Sequence, residues 1–390
     1  MAFDKVVFVR YLPLTELVYR DLYFHELIQN NIEVEYLDIT KLFYPDRISQ
    51  NSFNFKGVKE IDSYIALKDY LTINSNKNTL FISLMTFEPR VFKLYRIFTK
   101  FKLNLAVFGR GAFPSLVNDK KTEIIRILKV FSLKRIGLFI ANKLTILSKQ
   151  KGFIKPYDYI FRAGAYGSTG FGIGSEIDNQ QAKIIDVNTV DYDQFLLHQE
   201  IDIVSNNDDI VFLDQYLPYH PDAAFFKIKT VEPERYYKEL NVFFDKLESQ
   251  TGKKVIIAAH PKAEKYKEFN PFNGRDIYFN KSNDLVKNAS MVLTHASTAV
   301  CFPICYQKRI ILLTSNYLNE ILPQFFLTAK AIVSATGATI ISVDKNEDII
   351  IPEQLDATKY DDFKFKYLTS KKSENLQSKD IFVNFLKSTL

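Results

Sequence analysis

Tryptophan is absent from this chain, and histidine, methionine and cysteine are scarce, at five, three and two among 390 residues. Two cysteines cannot build a disulfide framework. Cys301 and Cys305 stand four residues apart in an apolar helix-like run, so they are expected to share one buried face as packing groups rather than as metal or redox ligands. Sparse cysteine also points to the reducing cytoplasm. No run reaches the ~18 uninterrupted apolar residues of a membrane-spanning helix. The opening Val6-Val7-Phe8-Val9 is too short for a secretion signal and reads as a first strand. No Asp-rich cluster stands at a strand end, so no metal is expected.

What the chain has in quantity is phenylalanine (34) and tyrosine (22), with 47% hydrophobic and 25% charged residues overall. That balance belongs to a globular protein rather than a disordered or fibrous one. Its length suggests roughly two domains of ~150 to 200 residues. The net charge of +6 is unevenly placed. Between residues 120 and 151 stand Lys120, Lys121, Arg126, Lys129, Lys134, Arg135, Lys143, Lys149 and Lys151 against Glu123 alone. Ile124, Ile125, Leu128, Phe131, Leu138, Phe139, Ile140 and Leu147 interleave with them, a pattern of basic amphipathic helices that suits either an anionic bilayer or an ordinary solvated surface.

Apolar runs at 6–9, 34–37, 80–84, 103–108, 157–161 and 183–187 alternate with helical stretches such as 15–30 and 90–101. This alternation predicts a parallel α/β sheet. Gly164, Gly167, Gly170, Gly172 and Gly174 mark a loop, without the strand-turn-helix setting of a dinucleotide fingerprint. A hinge is expected near 190–206. A second alternation follows, with strands near 209–213, 254–259, 276–279, 291–293, 309–313 and 339–342 and a helix over 233–250. The last stretch carries Ile381, Phe382, Phe385 and Leu386 on one helical face and is expected to pack back on the first domain. The expected domains are 1–195, 206–365 and the returning helix in 366–390.

Three junctions in the second half bear chemistry. Val211-Phe212-Leu213 runs into Asp214-Gln215, Val255 to Ala259 runs into His260-Pro261-Lys262, and Met291-Val292-Leu293 runs into Thr294-His295-Ala296-Ser297-Thr298. Beyond the carboxyl ends of parallel strands lies the ligand crevice of such sheets, and imidazole, ammonium and hydroxyl groups placed there suit a phosphate. Taken singly, His260 reads as a backbone-satisfied strand-end residue and Ser297-Thr298 as a helix cap; their pairing at successive strand ends favours a site, while Asp214 reads equally as a cleft-facing acid or as a cap of the turn that follows.

These features resemble the GT-B glycosyltransferases, α/β enzymes with two Rossmann-like domains facing across a cleft. Within that group the His260-Pro261 and Ser297-Thr298 pairs are similar to the motifs of bacterial transferases that use CMP-activated acids, the sialyltransferases and Kdo transferases. The resemblance implies that His260, with Pro261, Lys262, Thr294, His295, Ser297, Thr298 and Gln215, binds the phosphate of a CMP-sugar donor. It implies an Asp-Gln like that of capsule and O-antigen Kdo transferases, in which Asp214 acts as nucleophile of a retaining double displacement. The acidic Asp/Glu-Asp/Glu-Gly triplet of sialyltransferases is missing here, which weakens the sialic acid option. Glu88, in Thr86-Phe87-Glu88-Pro89-Arg90, is the candidate acceptor base, with Arg110 in Phe108-Gly109-Arg110-Gly111 as its charge partner on the acceptor side. Both also read as ordinary capping or ion-pairing residues.

The implied partners are a nucleotide-sugar donor and a surface-glycan acceptor, lipid-linked or free. The 120–151 segment could supply peripheral contact with the inner face of the membrane; no cofactor and no nucleic acid are expected. A UDP- or GDP-sugar transferase and a nonenzymatic sugar- or nucleotide-binding protein are the alternatives. The former is disfavoured by the lack of a glutamate-rich ribose-binding signature.

Overall fold

The computed structural model describes residues 3–46, 53–115, 133–168, 175–199, 208–221, 223, 229–345, 349–351 and 354–388. They form two compact units. The first comprises those to Ala112, from Leu133 to Val190, and from Thr369 on; the second comprises Phe113 to Ser115 and those from Asp191 to Leu368. Of the expected hinge, 200–206 lies outside the described residues.

The first unit is built on a seven-stranded sheet of order β3-β2-β1-β4-β5-β6-β7, every pair parallel. Its strands are β1 (Lys5–Arg10), β2 (Glu33–Asp38), β3 (Val58–Glu60), β4 (Thr79–Ser83), β5 (Asn104–Gly109), β6 (Tyr159–Ala163) and β7 (Lys183–Val187). Alternate residues of β1 enter opposite cores. Val6 and Phe8 pack with Tyr36, Ile82, Phe108 and Phe161 on one face, and Val7 and Val9 pack with Leu37, Phe81, Leu94 and Leu71 on the other. Two covered faces are why these strands read as unbroken apolar runs rather than as alternating ones.

The helix Ser378–Lys387 closes the first of these cores. Phe382 meets the rings of Phe108 and Phe161 edge-on at 5.5 and 4.9 Å, and Phe385 lies 5.0 Å from Tyr159. Its entry is fixed by Asn188, whose backbone N–H donates to the Ser378 hydroxyl at 2.8 Å and whose side chain donates to the Leu376 carbonyl at 2.7 Å.

The expected helix over 15–30 is instead two short ones, Glu16–Asp21 and Phe24–Gln29, broken at Tyr23, which takes φ +62°. The break turns Phe24 onto Phe8, with ring centroids 4.7 Å apart, a stacking that a continuous helix would have to forgo. In the glycine-rich loop, Gly167 lies flat against the backbone of Gly109 and Ala163, where a β-carbon would collide. Here glycine serves close backbone approach. Residues 169–174 are outside the described set.

The second unit carries six parallel strands in the order β10-β9-β8-β11-β12-β13. They are β8 (Ile210–Leu213), β9 (Val255–Ala259), β10 (Ile277–Phe279), β11 (Met291–Thr294), β12 (Arg309–Thr314) and β13 (Thr339–Ser342). The helix Pro233–Thr251 starts at a Glu232 cap, has proline in its first turn and ends at Gly252 with φ +67°, the sequence signals expected for both termini. It buries Tyr236, Leu240, Phe243, Phe244 and Leu247 over Phe212 and Ile257. Opposite, Val211, Leu213, Val292 and Leu312 pack under Phe302, Ile332 and Cys301. Cys301 is buried and Cys305 half-buried, neither is joined in a disulfide, and their sulfurs lie 4.0 Å apart on the same helix face.

Candidate functional site

Strand register brings the three chemistry-bearing junctions to one level. Leu213 pairs with Ala258 of β9 and with Thr294 of β11, so the residues that follow each strand emerge side by side. β8 and β11 are neighbours whose crossovers lead to opposite halves of the sheet. Their carboxyl ends therefore bound the switch point where such sheets leave a crevice. A side-chain bridge spans that point: Gln215 Oε1 accepts the backbone N–H of Ala296 at 2.8 Å. Gln215 thus holds the loop after β11 to the end of β8.

Asp214 sits at the floor, 4% exposed, and neither carboxylate oxygen makes a hydrogen bond of good geometry. Burial raises its pKa to about 6, although the backbone N–H groups of Tyr216, His260 and Gln215 and the Tyr266 hydroxyl lie near enough to oppose that shift. Tyrosines enclose it. Tyr266 meets Tyr216 at 5.0 Å, and its hydroxyl hydrogen-bonds that of Tyr237 at 2.8 Å. Burial, with the nearby Asp214 charge, raises the pKa values of Tyr236, Tyr237 and Tyr266 and keeps them protonated. Tyr216 adopts φ +53°, a left-handed conformation that costs a non-glycine residue and turns the chain sharply just beyond Asp214-Gln215.

His260 follows β9. Its Nδ1 accepts the Lys262 backbone N–H at 3.1 Å, which places the ring proton on Nε2. The His220 ring meets it edge-on at 4.9 Å. Pro261 and Lys262 are exposed in the turn beyond. Across the switch point, Ser297 Oγ accepts the Ala299 N–H at 3.1 Å, so its own O–H remains a donor, while Thr298 is exposed. Thr294 turns inward, and its hydroxyl donates to the Leu213 carbonyl at 3.3 Å.

Two expectations change. His295 is buried at 2% exposure; its Nδ1 donates to the Leu313 carbonyl at 2.8 Å and its Nε2 accepts the Tyr236 hydroxyl at 2.9 Å. Both nitrogens are used inside the domain and burial lowers its pKa to about 4, so His295 is a neutral structural group with no donor to offer a phosphate. Glu88 pairs with Arg90 at 2.5 Å rather than with Arg110, because Arg90 lies two residues on in the same turn, stacked on Tyr11. Arg110 lies instead over Phe108 at 4.2 Å and donates from Nη1 to the Asp21 carbonyl at 3.2 Å.

The first sheet has its own switch point, between β1 and β4. There a cavity of about 310 Å³ opens among Arg10, Asp21, Leu84, Thr86 and Phe108. Asp21, raised in pKa by burial, lines this cavity and Glu88 does not. Sequence reasoning missed Asp21, His220 and the tyrosines around Asp214. Asp21, Tyr236, Tyr237 and Tyr266 lie within helical segments, away from the strand ends that drew attention to the other residues.

No protein-family model matches the chain, and no curated protein matches its sequence. Solved structures resemble it over nearly its whole length at low identity. A UDP-GlcNAc 2-epimerase of Methanocaldococcus jannaschii, in complex with UDP-GlcNAc and UDP, is 16% identical with a TM-score of 0.44, over 92% of this chain and 98% of that one. The calicheamicin glycosyltransferase is 8% identical with a TM-score of 0.44, over 99% and 94%. The Arabidopsis thaliana protein UGT89C1, complexed with UDP-L-rhamnose, is 10% identical with a TM-score of 0.47, over 98% and 99%.

Proposed function

We propose that the protein is a glycosyltransferase that moves Kdo or a related ulosonic acid from its CMP-activated form to a surface-glycan acceptor. The observation that carries this reading is the buried Asp214 carboxylate at the switch point of the second sheet, with His260 and the Ser297 and Thr298 hydroxyls on the adjoining loops. In this reaction an Asp214 oxygen attacks the anomeric carbon as the bond from that carbon to the CMP phosphate oxygen breaks. His260 Nε2–H and the two hydroxyls stabilise the charge gathering on the departing CMP. An acceptor hydroxyl then attacks the same carbon, releases the Asp214 carboxylate and gives up its proton to solvent water. Gln215 positions the Ser297 loop.

Thermal-shift titration with CMP, UDP, GDP and ADP tests the donor. Stabilisation by CMP is expected, about 2.7 kcal/mol at a hundredfold excess over its Kd. Stabilisation by UDP or GDP without CMP would replace the ulosonic acid with another sugar. CMP release from CMP-Kdo in the presence of glycan acceptors separates a transferase from a protein that only binds. His260→Ala and Asp214→Ala are both expected to slow release by 100-fold or more, on the order of 3 kcal/mol.

A further inference from the structure

The helix Leu133–Gln150 is inside out along its second half. Thr145, Ser148 and Lys149 are buried, whereas Ile140, Leu144, Ile146 and Leu147 stand 51, 61, 43 and 43% exposed, and Phe153 just past its end 70%. The buried polar groups are satisfied at home. The Thr145 and Ser148 hydroxyls donate to carbonyls of their own helix, and Lys149 is clasped by both oxygens of Asp178 at 2.8 and 3.0 Å between the rings of Phe87 and Tyr157. Lys149 therefore does not belong to the basic surface on which the sequence placed it. Ile140, Leu144 and Leu147 follow the i, i+4, i+7 spacing of one helix face, and the exposed Lys143 and Lys151 flank it. Scattered apolar residues on a surface are ordinary, but a contiguous apolar stripe opposite a buried lysine calls for an occupant.

We propose that this stripe rests on the surface of an anionic lipid bilayer, with Leu144 and its neighbours at the acyl boundary and Lys143 and Lys151 among the headgroups. Charge selects this occupant. With Lys149 neutralised by Asp178, the sequence from 120 to 151, of which 120–132 lie outside the described residues, still holds eight basic side chains and only Glu123 to oppose them, so a second copy of the chain would set like charge against like. An anionic lipid surface meets both the apolar stripe and the lysines at its edge. No helix among the described residues is long and apolar enough to cross a membrane, and this one, about 27 Å long at 1.5 Å per residue, is suited to lie flat. The stripe belongs to the first unit and Asp214 to the second, so the lipid contact and the donor assignment can fail separately.

Sedimentation of the full chain with vesicles is the test. Wild type is expected to pellet with mixed phosphatidylglycerol and phosphatidylcholine and far less with phosphatidylcholine alone. Leu144→Glu with Leu147→Glu should weaken that binding by about 10-fold or more, and Leu144→Ser provides the milder change should the double variant fold poorly. Lys143→Gln with Lys151→Gln should flatten the salt dependence while leaving the response to CMP unchanged. Failure of wild type to bind anionic vesicles would overturn the proposal, as would undiminished binding by the leucine variants. So would a self-association, seen by ultracentrifugation, that these variants abolish while vesicle binding persists.

Discussion

Asp214 and His295 lie at neighbouring strand ends, yet burial acts on them in opposite directions. The Asp214 pKa rises from 3.8 to about 6, so the folded protein holds a proton between those values that the unfolded chain has lost. Stability therefore falls as pH rises through that window, and above pH 6 the buried carboxylate costs on the order of 3 kcal/mol. Asp214→Asn should abolish CMP release yet raise stability at pH 7.5 by roughly 1 to 3 kcal/mol, a gain that fades by pH 4 in denaturant titrations. The His295 pKa falls from 6.5 to about 4, so the unfolded chain binds the extra proton and stability drains away as pH drops through that range, by about 3 kcal/mol in all. Measured in the Asp214→Asn background, where the opposing titration is gone, His295→Gln should be less stable at pH 7 but nearly flat from pH 6.5 to 4. The sequence located both residues because strand ends are readable from apolar runs. It could not tell which would face the crevice and which the core, since that depends on Tyr236 arriving from a helix 59 positions away.

At the level of single elements, the strands were the most legible feature, because two buried faces demand continuous apolar runs that turn residues interrupt. β3 escaped notice, being three residues long at the sheet edge with two of them exposed. The break at Tyr23 was invisible to periodicity, because the apolar spacing continues across it while the backbone does not. In the helix Leu133–Gln150, Lys149 was counted with the basic surface and is instead buried: a lysine counts as surface until a carboxylate such as Asp178 is found to enclose it. Replacing that lysine alone, as Lys149→Met, strands Asp178 without a cation and should destabilise the protein by about 3 to 5 kcal/mol. Asp178→Asn added to it should restore part of the loss in denaturant melts, because the amide can still accept the Tyr157 N–H that Asp178 now binds at 3.0 Å.

On the scale of the whole chain, the segment from Thr369 belongs with the first unit although nearly 180 residues of the second intervene. Phe382, Val383, Phe385 and Leu386 are all buried there. At about 1.5 to 3 kcal/mol for each large apolar side chain, their removal approaches the entire stability of an ordinary domain. Truncation after residue 368 should leave the second unit folded and still responsive to CMP, while the first loses its cooperative transition and binds a hydrophobic dye. The same return also sets a timetable. As the polypeptide leaves the ribosome, the later-made unit has every strand it needs before the earlier one receives its closing helix. Phe108 and Phe161 must wait uncovered through most of synthesis, an interval in which a chaperone finds its substrate.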